Sequence, residues 1–405
     1  MRLMHRLSAI AVAAALPILI STQPAAVITP GRVLLVKKTS PDFDSFTNAP
    51  NGVVQQWMRN NFWRMLVYSP SFDKKTSWYQ AGWIYLDSYA INRNPSNGES
   101  LAGLHPDWVL RDDRNSTLYI PWGCDPASHT CPQYAADFSN PDFRQWWVDK
   151  AKSSLGRGKY KGLWIDDVNF DARISDGDGT PASPIDSRTG QPMTIDDWRR
   201  YFAEFLEKVR ADLPDIEIVT NSIWFAGGSA RDENIYVQRQ IAASDLITVE
   251  HGVNDSGLTG GDGIWSLNAL LAYIDRVNSA GKGVILGGLG GDDPNDPVPV
   301  EYTVACYFLI SNGANAVGDF GMVVTPEKWF PVLDVNLGTP LGPRFAWSGL
   351  LRRDFTGGMV LVNPPKGPTV TVAVPGSYRN ISGQPVDTIT LGPARGLILI
   401  AAPPQ

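Results

Sequence analysis

Two adjacent carboxylates close the run GLWID within the stretch GLWIDDVNFD, residues 162–171. Gly162-Leu163-Trp164-Ile165 reads as a short strand buried on both faces. A carboxylate at the end of such a strand is costly unless water or a reaction uses it. Further strand-like runs end in the same way: 83–87 in Asp87, 216–221 in Asn221, 246–250 in Glu250 and 315–319 in Asp319. Carboxyl pairs of this kind suit glycosidic-bond hydrolysis, in which one group protonates the leaving oxygen while the other attacks as nucleophile or activates water. Asp166 is expected to be the nucleophile and Glu250 the general acid/base, with Asp87, Asn221, Asp319, Trp122, Trp224 and His251 as substrate contacts. Strand alternation would turn Asp167 away from Asp166, so Asp167 is expected to cap the turn that follows.

Groups scattered this widely along the chain need a scaffold that gathers strand ends. Eight apolar runs, 64–69, 83–87, 117–122, 162–166, 216–221, 246–250, 283–288 and 315–319, supply candidate strands. Residues 33–37 are the alternative to one of the early members. Between the later runs lie helical patterns. The clearest begins after Thr194, a candidate N-cap, carries Phe202, Phe205, Leu206 and Val209 on one face, and stops at Pro214. This order predicts an α/β fold, a (β/α)8 TIM barrel over residues 27–335 with its site at the C-terminal strand ends. A doubly wound open sheet fits less well, because no glycine-rich phosphate loop follows an early strand. Beyond residue 340 the texture changes to short alternating runs broken by Gly, Pro and Asn, which predicts a small antiparallel β-sandwich over 340–405.

Composition narrows the function classes. The chain has 405 residues, 43% of them hydrophobic and 19% charged, as in an ordinary globular protein. Residues 1–26 combine Arg2 and Arg6, an apolar stretch and small polar residues, the pattern of a secretory signal peptide. Its removal would make a chain of net charge −6 more acidic still. Nucleic acid is therefore not an expected partner, and no stable membrane partner is expected beyond the export signal. Cys124 and Cys131 flank the segment DPASHT and read as a local disulfide, while Cys306 lies in an apolar helical stretch. Histidines are few and no HxxH or CxxC spacing occurs, so neither a metal nor another cofactor is expected. Fourteen tryptophans are many for this length; core filling is the commoner use of any one ring, and Trp78, Trp83, Trp108, Trp122, Trp224 and Trp265 are candidates to stack on sugar rings.

A resemblance sharpens the reading. YAADFSNPDFRQWWVDKAKSSL, GLWIDDVNFD, ITVEHG, GVILGG, LGTP and RRDFTGGMVLVNP, in that order, resemble the hypothetical glycosyl-hydrolase-like family fifteen, over a span from about Trp63 to the end. More distantly, the arrangement is similar to the α-galactosidase and dextranase group of barrels. That resemblance implies a strand-four aspartate nucleophile and a strand-six acid/base, which fall here on Asp166 and Glu250. The expectation is a secreted glycoside hydrolase that cleaves O-glycosidic bonds of an oligo- or polysaccharide with retention. The rival is a carbohydrate-binding or cell-envelope protein that uses the barrel without catalysis.

Overall fold

The computed structural model describes residues 29–38, 51–68, 78–94, 100–157, 160–222, 233–290, 296–320 and 324–402. The expected leader over 1–26 and Trp224 lie outside them. The first three barrel strands are β1 (Leu35–Lys38), β2 (Arg64–Val67) and β3 (Gly82–Asp87). A small antiparallel ladder of β4 (Ala90–Asn92) and β5 (Gln133–Ala135) then stands apart from the ring. The ring resumes with β6 (Gly162–Asp166), β7 (Glu217–Asn221), β8 (Leu246–Val249), β9 (Gly283–Leu286) and β10 (Ala316–Gly318). All pairings in the ring are parallel, and β10 pairs back onto β1 to close it.

One expected barrel strand is wrong. The run 117–122 lies in the excursion between β3 and β6, where it forms only isolated bridges such as Arg111 with Thr117 and Tyr119 with Tyr134. Its place in the ring is taken by β1, close to the alternative at 33–37. Asp87 therefore ends the third strand rather than the second.

The helices on the outside are α1 (Gly52–Asn61), the short α2 (Leu101–Leu104), α3 (Pro141–Gly156), α4 (Ile195–Asp212), α5 (Ile235–Ala243), α6 (Leu267–Ser279) and α7 (Pro297–Ile310). Helix α4 starts as its sequence requires. Thr194 accepts from the Asp197 amide and Asp197 accepts from the Thr194 amide, a reciprocal capping box. Its apolar face, with Trp198, Phe202, Phe205, Leu206 and Val209, is buried. Helix α7 is apolar on all sides, and such a helix is stable only if covered on all sides. The barrel covers one face, and β13 (Gly358–Asn363) and β16 (Arg395–Ala401) of the C-terminal sheet cover the other.

That sheet is a six-stranded antiparallel unit in the order β11 (Phe345–Trp347), β12 (Leu350–Phe355), β13, β16, β14 (Val370–Arg379), β15 (Pro385–Leu391). It forms its own apolar core from Leu350, Met359, Leu361, Val374, Ile389, Leu391 and Leu399. Two details dock it onto α7. A Cβ at Gly396 would come within 2.5 Å of Ala305, so only glycine permits this approach. Arg353 Nη1 donates to the Phe308 and Ser311 carbonyls at 2.9 Å each, satisfying the C-terminal end of the helix.

Parallel pairing in a closed ring fixes which side chains face the axis. The interior cluster contains Val36, Leu66, Trp83, Trp164, Val219, Leu246, Ile285 and Ala316, so residues two further along each strand also point inward. Lys37 and Asp319 have the opposite parity. They lie in the dry layer outside the barrel, with Lys37 Nζ 2.6 Å from Asp319 Oδ2 and both side chains fully buried. Asp319 Oδ1 also accepts from the Lys38 amide at 2.7 Å, and Lys37 Nζ donates to the Val324 carbonyl at 3.0 Å. This pair straps β1 to the end of β10 where the barrel closes.

Removing one member of a buried pair strands the other charge. Lys37→Met should therefore destabilise the fold by about 3–5 kcal/mol in urea titration, and the double variant Lys37→Met/Asp319→Leu should recover most of that loss. Equal stabilities of the single variant and the wild type would show that the strap carries no load.

Candidate active site

The barrel interior is solid below the site. At the entry ends of the strands, Arg64 forks onto Glu217 through Nε at 2.8 Å and Nη2 at 2.5 Å, and Trp83 Nε1 donates to the same carboxylate at 2.7 Å. Burial works to raise the Glu217 carboxyl, but these donors and the Arg64 charge hold it below its ordinary value. Above them lie Trp83, Trp164 and Phe320. The Trp164 and Phe320 rings meet edge-on at 5.1 Å. Apart from the Arg64–Glu217 pair at the entry ends, the inward-facing carboxylates lie at the C-terminal mouth.

At that mouth the register builds one row across three strands. Asp87 pairs directly with Asp166, and Asn221 on β7 lies beside Asp166 and pairs with Thr248 on β8. Glu250 directly follows the end of β8, two residues after Thr248, and it is exposed. The strand end carrying it passes so close to β9 that a Cβ at Gly287 would lie 2.1 Å from the Glu250 carbonyl oxygen.

Asp166 is the most constrained carboxylate of the group. Tyr85 donates its hydroxyl to Oδ2 at 2.6 Å, while Asn221 Nδ2 and the Asp167 amide donate to Oδ1 at 2.8 and 2.9 Å. Tyr85 packs on Tyr68, with ring centroids 4.8 Å apart. Burial and the Asp166 charge raise both phenols, so each stays protonated and Tyr85 remains a donor. Asp87 accepts from the Tyr89 and Ala90 amides at 3.0 and 2.7 Å. Even so, burial and then the charges of Asp167 and Asp166 push it well above its ordinary value.

Asp167 does not cap a turn with its back to the site. Its φ of 55° interrupts the alternation on which that expectation rested, and its carboxyl joins the cluster. Burial and the Asp166 charge push it up to about 6, against opposing effects of Arg173, 3.6 Å away, and Asn169, whose Nδ2 donates at 3.3 Å. Glu250 adds a further upward push, which places it within electrostatic reach of Asp167.

The remaining expected contacts fare differently. Asp319 is not a substrate ligand, because its parity sends it into the ion pair with Lys37. Asn221 faces the site, with its amide nitrogen spent on Asp166. His251 lies exposed on the rim directly after Glu250. Trp122 is 65% exposed at the tip of the excursion between β3 and β6, near the Cys124–Cys131 disulfide. Trp83 and Trp108 are core residues, the latter stacked on His105 at 3.8 Å, whereas Trp265 is exposed. Tyr85, Tyr68 and Arg173 were not anticipated. The inward parity of Tyr85, two residues before Asp87, was the available signal.

Residues 60–359 of this sequence match hypothetical glycosyl hydrolase family 15. The chain belongs to that family. Among proteins with curated descriptions none matches it significantly. Solved structures similar to this family 15 member include an α-amylase from Geobacillus thermoleovorans complexed with acarbose, 11% identical over 92% of this chain and 98% of that one, TM-score 0.46. An α-galactosidase from Geobacillus stearothermophilus is 11% identical over 92% of this chain, which spans 56% of that protein, TM-score 0.47. The glycoside hydrolase domain of PelA from Pseudomonas aeruginosa is 14% identical over 75% of this chain and 98% of its own, TM-score 0.39.

The raised Asp167 carboxyl has a consequence for stability. The folded chain binds this proton more tightly than the unfolded chain, so the associated stability is present below about pH 4 and is lost as pH rises through about 6. Asp167→Asn removes that loss and suits the left-handed backbone. The variant should melt roughly 2–4 °C above the wild type at pH 7, with the gap closing at pH 4. A gap independent of pH would refute the electrostatic origin.

Proposed function

We propose that this family 15 member is an exported glycoside hydrolase that cleaves O-glycosidic bonds of an oligo- or polysaccharide with retention. Asp166 is the nucleophile and Glu250 the general acid/base. The observation that carries the reading is the set of three donors that fixes both oxygens of Asp166 at the mouth of the barrel. Donors of this kind hold the carboxyl in one orientation, as a nucleophile requires. Export rests on the residue pattern of 1–26.

In the first step, an Asp166 oxygen bonds to the anomeric carbon as the bond to the leaving oxygen breaks, and Glu250 gives that oxygen its proton. In the second, Glu250 takes a proton from water, the water oxygen bonds to the anomeric carbon, and the Asp166 ester bond breaks. The exposed position of Glu250 leaves it open to both the leaving group and water. Trp122 and Trp265 are the exposed rings available for sugar faces beyond the cleavage point.

The test is a hydrolysis screen over a glycan panel with the wild type, Asp166→Ala and Glu250→Ala, each checked for folding by circular dichroism. Glu250→Ala should lower kcat about 10²–10⁴-fold, and Asp166→Ala at least as much. NMR of the first-formed sugar should show the substrate's anomeric configuration. Activity surviving either substitution would remove the assigned pair, and binding without cleavage would favour a carbohydrate-binding barrel.

A further inference from the structure

The mouth of the barrel is acidic on one side. Asp87, Asp166, Asp167 and Glu250 stand at or just past the ends of β3, β6 and β8, and Asn221 on β7 donates to Asp166 among them. In the ring order β1-β10-β9-β8-β7-β6-β3-β2, strand β1 lies three places from both β6 and β8, across the mouth from this group. Among the described residues no carboxyl faces the mouth there, since Asp319 turns outward to Lys37 and β9 continues into Gly287 and Gly288. Lys38 closes β1 on this side. It shares the inward parity of Val36 and pairs with Leu66. Its Nζ stands 5.1 Å from the centre of the Phe320 ring. That ring floors the mouth: a Cβ at Gly287 or Gly318 would lie 2.7 or 3.0 Å from it, and it meets edge-on the ring of Trp164, two residues before Asp166. Lys38 is half-buried, yet among the described residues no carboxylate pairs with it. Arg173, by contrast, lies 3.6 Å from Asp167. A lysine serving only solubility would gain nothing from inward parity.

We infer that Lys38 binds the carboxylate of an acidic sugar, which makes a uronate-containing glycan the substrate class of this site. The inference rests on the barrel mouth being the glycan site, as proposed above. A sugar whose anomeric carbon lies against Asp166 extends its remaining ring atoms and substituents across the mouth, toward β1. A carboxylate arriving there meets an ammonium that the Phe320 ring steadies from below and that no protein charge has claimed. On the opposite side the same carboxylate would meet four acidic side chains and be repelled. The charge distribution therefore fixes the direction in which an acidic sugar enters as well as its class. A neutral hydroxyl gains far less from an unmatched charge than a carboxylate does.

Matched sugars that differ only in the carboxylate test this. The probes are oligomers of glucuronate, galacturonate and mannuronate beside those of glucose, galactose and mannose, titrated by ligand-observed NMR into the full chain and followed for cleavage. The wild type should bind at least one uronate more tightly than its neutral counterpart. Lys38→Met, checked for folding by circular dichroism, should weaken that uronate by about tenfold or more and leave the neutral sugar within about twofold. Lys38→Arg should keep the preference. Absence of uronate binding, equal binding of both forms by the wild type, or an equal loss of both in Lys38→Met overturns the inference; cleavage of neutral oligomers in any of these cases would leave the hydrolase reading in place. Uronate binding that depends on Lys38 without cleavage upholds the inference and removes the hydrolase reading instead.

Discussion

Closing eight parallel strands into a ring fixes side-chain direction along each strand, and the charged residues within the strands are governed by that constraint. Once β10 pairs with β1, one residue decides between two environments. Lys38 points to the mouth, its Nζ 5.1 Å from the centre of the Phe320 ring, while Lys37 is driven into the dry layer beneath the helices. Asp319 and Phe320 divide in the same way. A charge sent outward must find a partner or prevent folding, and one sent inward at the rim remains within reach of water.

The site is consequently crowded with like charge. Asp87, Asp166, Asp167 and Glu250 come from three different strands, and the barrel holds them together because its core is packed beneath them and the helices surround it. Burial, and after it the crowding of like charge, raises the proton affinity of Asp87 and Asp167, so the region that carries chemistry is also one that opposes the folded state at neutral pH. Perturbed carboxyls in a cleft are a frequent mark of reactive sites. The ion pairs elsewhere in the fold, such as Arg64 with Glu217, show the opposite design, with each charge matched.

Much of the barrel was legible in the sequence because β6, β7, β8, β9 and β10 are short apolar runs, a pattern that survives without knowledge of the partners. The first strand was obscured by its own ending, LVKK, in which Lys37 reads as a solvent residue until its buried partner is known. The run 117–122 is apolar enough to mimic a strand, yet its residues serve the excursion held by the Cys124–Cys131 disulfide. Strand-end position sufficed to locate Asp166 at the end of β6 and Glu250 just past the end of β8. Asp319 could not, since its direction depends on a register one residue out of step with the run that suggested it. Asp167 was misread for a local reason: strand alternation stops where φ becomes positive, and the sequence carries no glycine to announce it.

Helix α7 changes the meaning of the C-terminal sheet. In sequence the sheet looks appended, a module that follows a finished barrel. In space it is the outer cover of a helix that is apolar all round, fixed by the glycine contact at 396 and by Arg353 on the helix carbonyls. The barrel and the sheet therefore share one wall, and neither has a complete surface of its own. For evolution, this makes the tail a poor candidate for shuffling: a barrel separated from it would present water with a bare apolar helix, so the two must be inherited together.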